Sequence, residues 1–136
     1  MSDDLFNIIY NKSLDLLSRR EHSFKEIKEK LSARFENKEI IESVIEKLSD
    51  NNLVNNTRYA EAYVSARKRK GFGPKKIAFE LSSKGVDESV TNNVIIEEGD
   101  WESAAKLAFS KKFKDGPSSD IKEKLKQKSF LQNRGF

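Results

Sequence analysis

Leu31-Ser32-Ala33-Arg34-Phe35, Leu81-Ser82-Ser83-Lys84-Gly85 and Leu131-Gln132-Asn133-Arg134-Gly135 recur at intervals of 50 residues. Each begins with leucine, passes through two small or polar residues and a cation, and ends where a helix should stop. The same offset lays Ile27 on Ile77, Val44 on Val94 and Ile45 on Ile95. Self-similarity at a fixed period marks a repeat architecture, in which units too small to bury their own apolar faces stack on their neighbours. The predicted fold is therefore all-α: tandem three-helix repeats forming an elongated helical array, at residues 1–55, 56–98 and 99–136. The third repeat is incomplete, because the sequence reaches Phe136 where its last helix should begin. A terminal repeat without its packing partner is expected to fray.

Local signals agree with that frame. Ser23-Phe24-Lys25-Glu26 is a capping box, with the serine and glutamate each able to satisfy a free amide of the first turn. Ile27 and Leu31 behind it share a face, and Ile40, Ile41, Val44, Ile45 and Leu48 make a second stripe. Asn55, Asn56 and Thr57 supply cap candidates for a helix carrying Tyr59, Ala60, Tyr63, Val64 and Arg67 on one face. Gly71-Phe72-Gly73-Pro74 stops that helix and starts the next, with Pro74 at the first helical position. Gly85 stands where a left-handed stop residue is wanted. Further helices are expected from Val86-Asp87, from Asp100-Trp101 and from Asp120 onward. No segment alternates with the period of a strand.

Composition narrows the function classes. The chain has 136 residues, 35% of them charged and 36% hydrophobic, with a mean hydropathy of −0.73. No run approaches the ~20 apolar residues of a membrane-spanning helix. The acidic start Met1-Ser2-Asp3-Asp4 lacks the basic and apolar regions of a secretory signal, so a cytoplasmic protein is expected. The absence of cysteine removes disulfides, thiolate nucleophiles and most structural zinc sites. His22 is the single histidine. No Gly-x-Ser-x-Gly elbow or serine triad can be assembled, and Gly71-Phe72-Gly73 follows a helix rather than the strand a dinucleotide loop needs. No catalysis, cofactor or metal is expected.

Binding is better supported. The net charge of +4 is distributed in bands, with +6 over residues 65–85, −6 over 86–105 and +5 over 106–128. Such banding steers an anionic partner, whether nucleic acid or an acidic protein surface. Arg67, Lys68, Arg69 and Lys70 end one helix, where cations suit the dipole. Lys75 and Lys76 begin the next, where the dipole disfavours them, and an anionic partner is one reason to place them there. Arg67 lies in line with the core stripe and reads equally as a bond between helix ends. Tyr59 and Tyr63 read as packing residues, and Lys122, Lys124, Lys126 and Lys128 as a solvated face.

The stretch Asn56–Arg67, with Gly71-Phe72-Gly73-Pro74-Lys75-Lys76-Ile77 and Leu81–Val86, resembles the signature of the RecX family. Leu16–Ser23 with Glu26-Ile27 and Lys30-Leu31 is similar to its opening motif, and Phe130–Phe136 to its closing one. The resemblance implies tandem three-helix repeats that bind the RecA–DNA filament along its helical groove, limiting filament growth. It implies inhibition of RecA ATP hydrolysis, strand exchange and co-protease activity, and so a place in homologous recombination, DNA repair and the SOS response. It carries over no catalytic residue. What it carries is the basic surface of the middle and last repeats, at Arg67, Arg69, Lys75, Lys76, Lys84 and Arg134. The expected partners are the RecA nucleoprotein filament and single- or double-stranded DNA, with no membrane, for a monomer. Asn56 and Thr57 replace acidic residues usual in the family, and Phe35 replaces a glycine at the first stop. The alternative reading is a sequence-independent nucleic-acid-binding helical module, and a helical adaptor for an acidic protein fits the charge as well.

Overall fold

The computed structural model describes residues 2–136. It contains α1 (Ser2–Arg19), α2 (Phe24–Arg34), α3 (Lys38–Asp50), α4 (Asn56–Arg69), α5 (Pro74–Ser83), α6 (Glu88–Glu98), α7 (Trp101–Lys112) and α8 (Ile121–Asn133). There is no strand among the described residues. The helices fall into two triads, α1–α3 and α4–α6, followed by the pair α7–α8.

Most of the starts and stops follow from the local sequence. The Glu26 amide donates to Ser23 Oγ at 3.1 Å and the Ser23 amide to Glu26 Oε1 at 3.2 Å, completing the capping box. Asn37, Asn55 and Asp120 cap α3, α4 and α8 through their side chains. Gly85 and Gly135 turn at φ +79° and +94°, conformations that a Cβ disfavours. Phe35 cannot take that turn cheaply, and the chain instead leaves α2 extended, at φ −123°.

Each triad has its own core. Ile9, Ile27, Leu31, Ile41, Val44, Leu48 and Val54 fill the first. Tyr59, Ala60, Val64, Ile77, Leu81, Val86 and Val94 fill the second. Where the first core has Ile41, the second has Thr91, buried and with no partner for its hydroxyl. An orphaned buried hydroxyl costs about 1–3 kcal/mol of desolvation. Thr91→Val is therefore expected to raise the unfolding free energy by about 1 kcal/mol in urea titration; a loss of stability would mean the hydroxyl has a partner.

The third unit is thinner. Phe113 meets Phe109 and Phe130 with ring centroids 5.0 and 5.4 Å away. At the place of Ile27 and Ile77 stands Gln127, which accepts from the Ser118 amide at 3.1 Å and donates to the Gly116 carbonyl at 3.1 Å. It ties a loop instead of filling a core. The far end of α8 is better held than a fraying repeat would suggest. The Gly73 amide donates to the Arg134 carbonyl at 2.6 Å and the Lys75 amide to the Gly135 carbonyl at 3.0 Å. The C-terminus of α8 thus meets the N-terminus of α5. The C-terminus of α5 meets α2 likewise: Gly85 lies against Lys25, whose Nζ donates to the Ser83 carbonyl at 3.0 Å. The middle helices of the three units form one row, joined end to end.

Candidate functional site

Of the six basic residues singled out by sequence, three converge on Phe72. The Arg67 guanidinium stacks over its ring at 3.8 Å, Arg134 lies 4.9 Å from the centroid, and Lys76 Nζ lies 5.0 Å away. Cations over an aromatic face are held by the ring quadrupole at about 0.5–2 kcal/mol each. Phe72 was legible only as part of a turn. Its flanking glycines and nearby cations hinted at more, but only folding brings Arg134 to it.

Arg67 is also fully engaged elsewhere. Its Nε and Nη2 donate to the two Glu80 oxygens at 3.0 and 2.8 Å, and the Tyr63 hydroxyl donates to the same carboxylate at 3.0 Å. Of its two sequence readings, the bond between helix ends matches this geometry. Arg134 Nη1 donates to the carbonyls of Lys70 and Gly71 at 3.3 and 3.4 Å, closing the end of α4. Lys84 stands apart, its Nζ 3.6 Å from Glu26 Oε2. Arg69 and Lys75 are exposed, and Arg69 Nη1 donates only to Ser65 Oγ at 3.2 Å. Neither pairs with a carboxylate among the described residues.

The helix dipole argument for Lys75 and Lys76 changes once α8 is in place. The amide end of α5 faces the carbonyl end of α8, so the partial charges there largely cancel. A local reason for the two lysines exists before any partner is invoked.

The junction of the first two repeats is organised around Glu26. Burial pushes its carboxyl up, but the Arg20 guanidinium, bonded to it at 3.0 and 3.2 Å, and the Ser23 amide outweigh this and hold it below the usual range. His22 is buried beside it, Nδ1 against the Arg20 carbonyl at 3.0 Å and Nε2 against Lys30 Nζ at 2.8 Å. Nε2 faces a cation and therefore accepts, so the imidazole is neutral. Burial, with the charges of Arg20 and Lys30 nearby, lowers its pKa despite the opposing hydrogen bond to the Arg20 carbonyl and the weaker pull of Glu26. The unfolded chain, titrating near 6.5, takes up this proton first as pH falls. Stability is accordingly expected to decline as pH falls through about 6.5, well above the Glu26 range. His22→Gln should flatten that slope in urea melts; an unchanged slope would contradict the assignment.

A second basic feature lies between the second and third repeats. Lys68, Arg69 and Lys70 from the end of α4, Lys111 and Lys112 from α7, and Arg134 line a cleft of about 630 Å³. Glu98 and Asp100 also line it. Lys68 Nζ is bonded to the Gly99 carbonyl at 2.9 Å and lies 5.4 Å from the Trp101 ring. The side-chain ammonium groups of Lys70, Lys111 and Lys112 have no hydrogen-bond or ion-pair partner among the described residues. Lys111 and Lys112 lie more than forty residues from the α4 cations in sequence, and only the seating of α7 joins the two groups.

Comparison with known proteins places the chain. Residues 10–48 match the first three-helix domain of RecX, residues 55–95 the second and residues 98–136 the third. Regulatory protein RecX of Halorhodospira halophila is 36% identical over 129 residues, covering 94% of this chain and 80% of that protein. The chain belongs to the RecX family. Regulatory protein RecX of Neisseria meningitidis serogroup A is 37% identical over 125 residues, covering 92% of this chain and 80% of its own length. The crystal structure of RecX from Lactobacillus salivarius superposes with a TM-score of 0.79 at 28% identity, over 100% of this chain and 90% of that one. RecX membership accounts for the tandem three-helix repeats seen in the fold. Among the described residues, no helix is long and apolar enough to cross a membrane.

Proposed function

We propose that this RecX-family chain regulates RecA by lying along the RecA–DNA filament and inhibiting its recombinase, ATPase and co-protease activities. The observation that carries the reading is the similarity to proteins named Regulatory protein RecX, which runs through all three repeats rather than one. The row of middle helices supports it, because an elongated array presents a long side to an extended partner. Regulation here is by occupancy. The buried His22 has both ring nitrogens engaged and is unavailable as a general base.

Among the six basic residues, Arg69 and Lys75 make the contacts to the filament. Arg67, Lys84 and Arg134 hold the repeats in register, and Lys76 joins Arg69 and Lys75 at the filament. The protein acts in the cytoplasm, where RecA filaments form, and binds as a monomer. Co-sedimentation tests the reading. The protein is expected to pellet with RecA assembled on long single-stranded DNA; recovery in the supernatant at every ratio would reject it.

A further inference from the structure

The molecule contains the inter-repeat cleft twice, and the two copies differ in a directed way. The first, of about 400 Å³, lies between repeats one and two. Helix α7 starts 45 residues after α4, so Tyr59, Ala62, Tyr63 and Ala66 correspond to Ala104, Leu107, Ala108 and Lys111. The first four line the first cleft and the second four line the second. The two tyrosines that fill the first cleft are alanines in the second, which is the larger by more than half.

The charges change with the size. Around the first cleft stand Arg20, Glu21, Glu26, Ala66 and Lys84, with a net charge of zero. Of their counterparts Lys70, Gly71, Lys76, Lys111 and Arg134, all but Lys76 line the second cleft, and those four carry a net charge of +3. In the first cleft the acids are consumed: Glu26 binds Arg20 and Lys84, and Glu21 binds Arg58 at 2.7 Å. In the second, both acids are gone and Lys112 adds a further cation. Glu98 and Asp100 sit by the start of α7, about 15 Å along that helix from Lys111 and Lys112 at its end. They do not neutralise it.

We infer that the second cleft holds the phosphodiester backbone of single-stranded nucleic acid. Lys70, Lys111 and Lys112, whose ammonium groups have no partner among the described residues, are compact point charges suited to phosphates, and Arg69 adds an exposed guanidinium that can bond phosphate oxygens. The side chains of Ala104, Leu107 and Phe130 add an apolar wall against which a base can lie. A volume of about 630 Å³ is that of a small-ligand cleft and admits a short piece of one strand. The inference concerns the protein without RecA, and its failure would leave the regulatory reading standing.

Trp101, the single tryptophan, reports on the cleft through Lys68. Titration with a short oligothymidylate at low salt is expected to change its fluorescence saturably, with log affinity falling linearly in log salt. Lys111→Ala with Lys112→Ala, both on exposed positions, should lower affinity by about tenfold or more and flatten the salt slope. Lys122→Ala with Lys124→Ala removes the same charge from α8 outside the cleft and should have little effect. Circular dichroism verifies that both pairs stay helical. The inference is overturned by absence of saturable binding at low salt, or by equal losses in the two pairs. Binding of polyglutamate or of a free nucleoside triphosphate as tight as that of the oligonucleotide would overturn it too, giving the cleft to an acidic peptide or a small ligand.

Discussion

Gly135→Ala is expected to detach the end of α8 from α5 at a cost of about 2–4 kcal/mol. Two effects combine. The backbone at φ +94° is a conformation that costs a residue with a Cβ about 1–2 kcal/mol. The new Cβ would also stand 2.5 Å from the Lys76 amide nitrogen, and such overpacking costs about 1–3 kcal/mol where backbone cannot give way. The amides of Gly73 and Lys75 then lose their acceptors. Hydrogen exchange should show loss of protection at those two amides and over residues 128–136, with residues 24–50 unaffected. Uniform loss over the whole chain would mean that the repeats unfold as one unit; no loss would mean that the end-to-end row is not a joint.

Reversing Lys75 and Lys76 to glutamate is expected to separate stability from function. The thermal midpoint should stay within about two degrees of the unaltered protein. Carboxylates at the start of α5 gain from its dipole, lose against the facing end of α8, and find Arg134 beside them, as Glu26 finds Lys84 in the first junction. Affinity for the RecA–DNA filament should fall by about tenfold or more, because attraction to an anionic groove becomes repulsion. Affinity retained together with stability would remove these lysines from the contact surface. Lost stability would make them structural.

The helices were legible because their caps and stops are local. Ser23 with Glu26, Pro74 after Gly73, and Gly85 each act within one turn. The 50-residue echo of Leu31, Leu81 and Leu131 gave the repeats, since a periodic core repeats its leucines. What lay between repeats was not legible. That Arg134 would cap α4 and stand over Phe72 depends on a contact 62–64 residues away along the chain. The same contact altered the reading of Lys75 and Lys76, whose placement looked unfavourable while α5 was considered alone. Lys111 and Lys112 passed as part of a basic band because their partners across the cleft come from α4. The 50-residue offset also hid the correspondence of α4 and α7, which run 45 residues apart.

Regulation by occupying a filament is tested most directly by the ATP hydrolysis of RecA on long single-stranded DNA. With the protein present at well below one copy per RecA, hydrolysis should fall, and fall further when the protein is added during filament assembly than after it. Unchanged RecA turnover with the protein in excess, under either order of addition, would contradict regulation by occupancy.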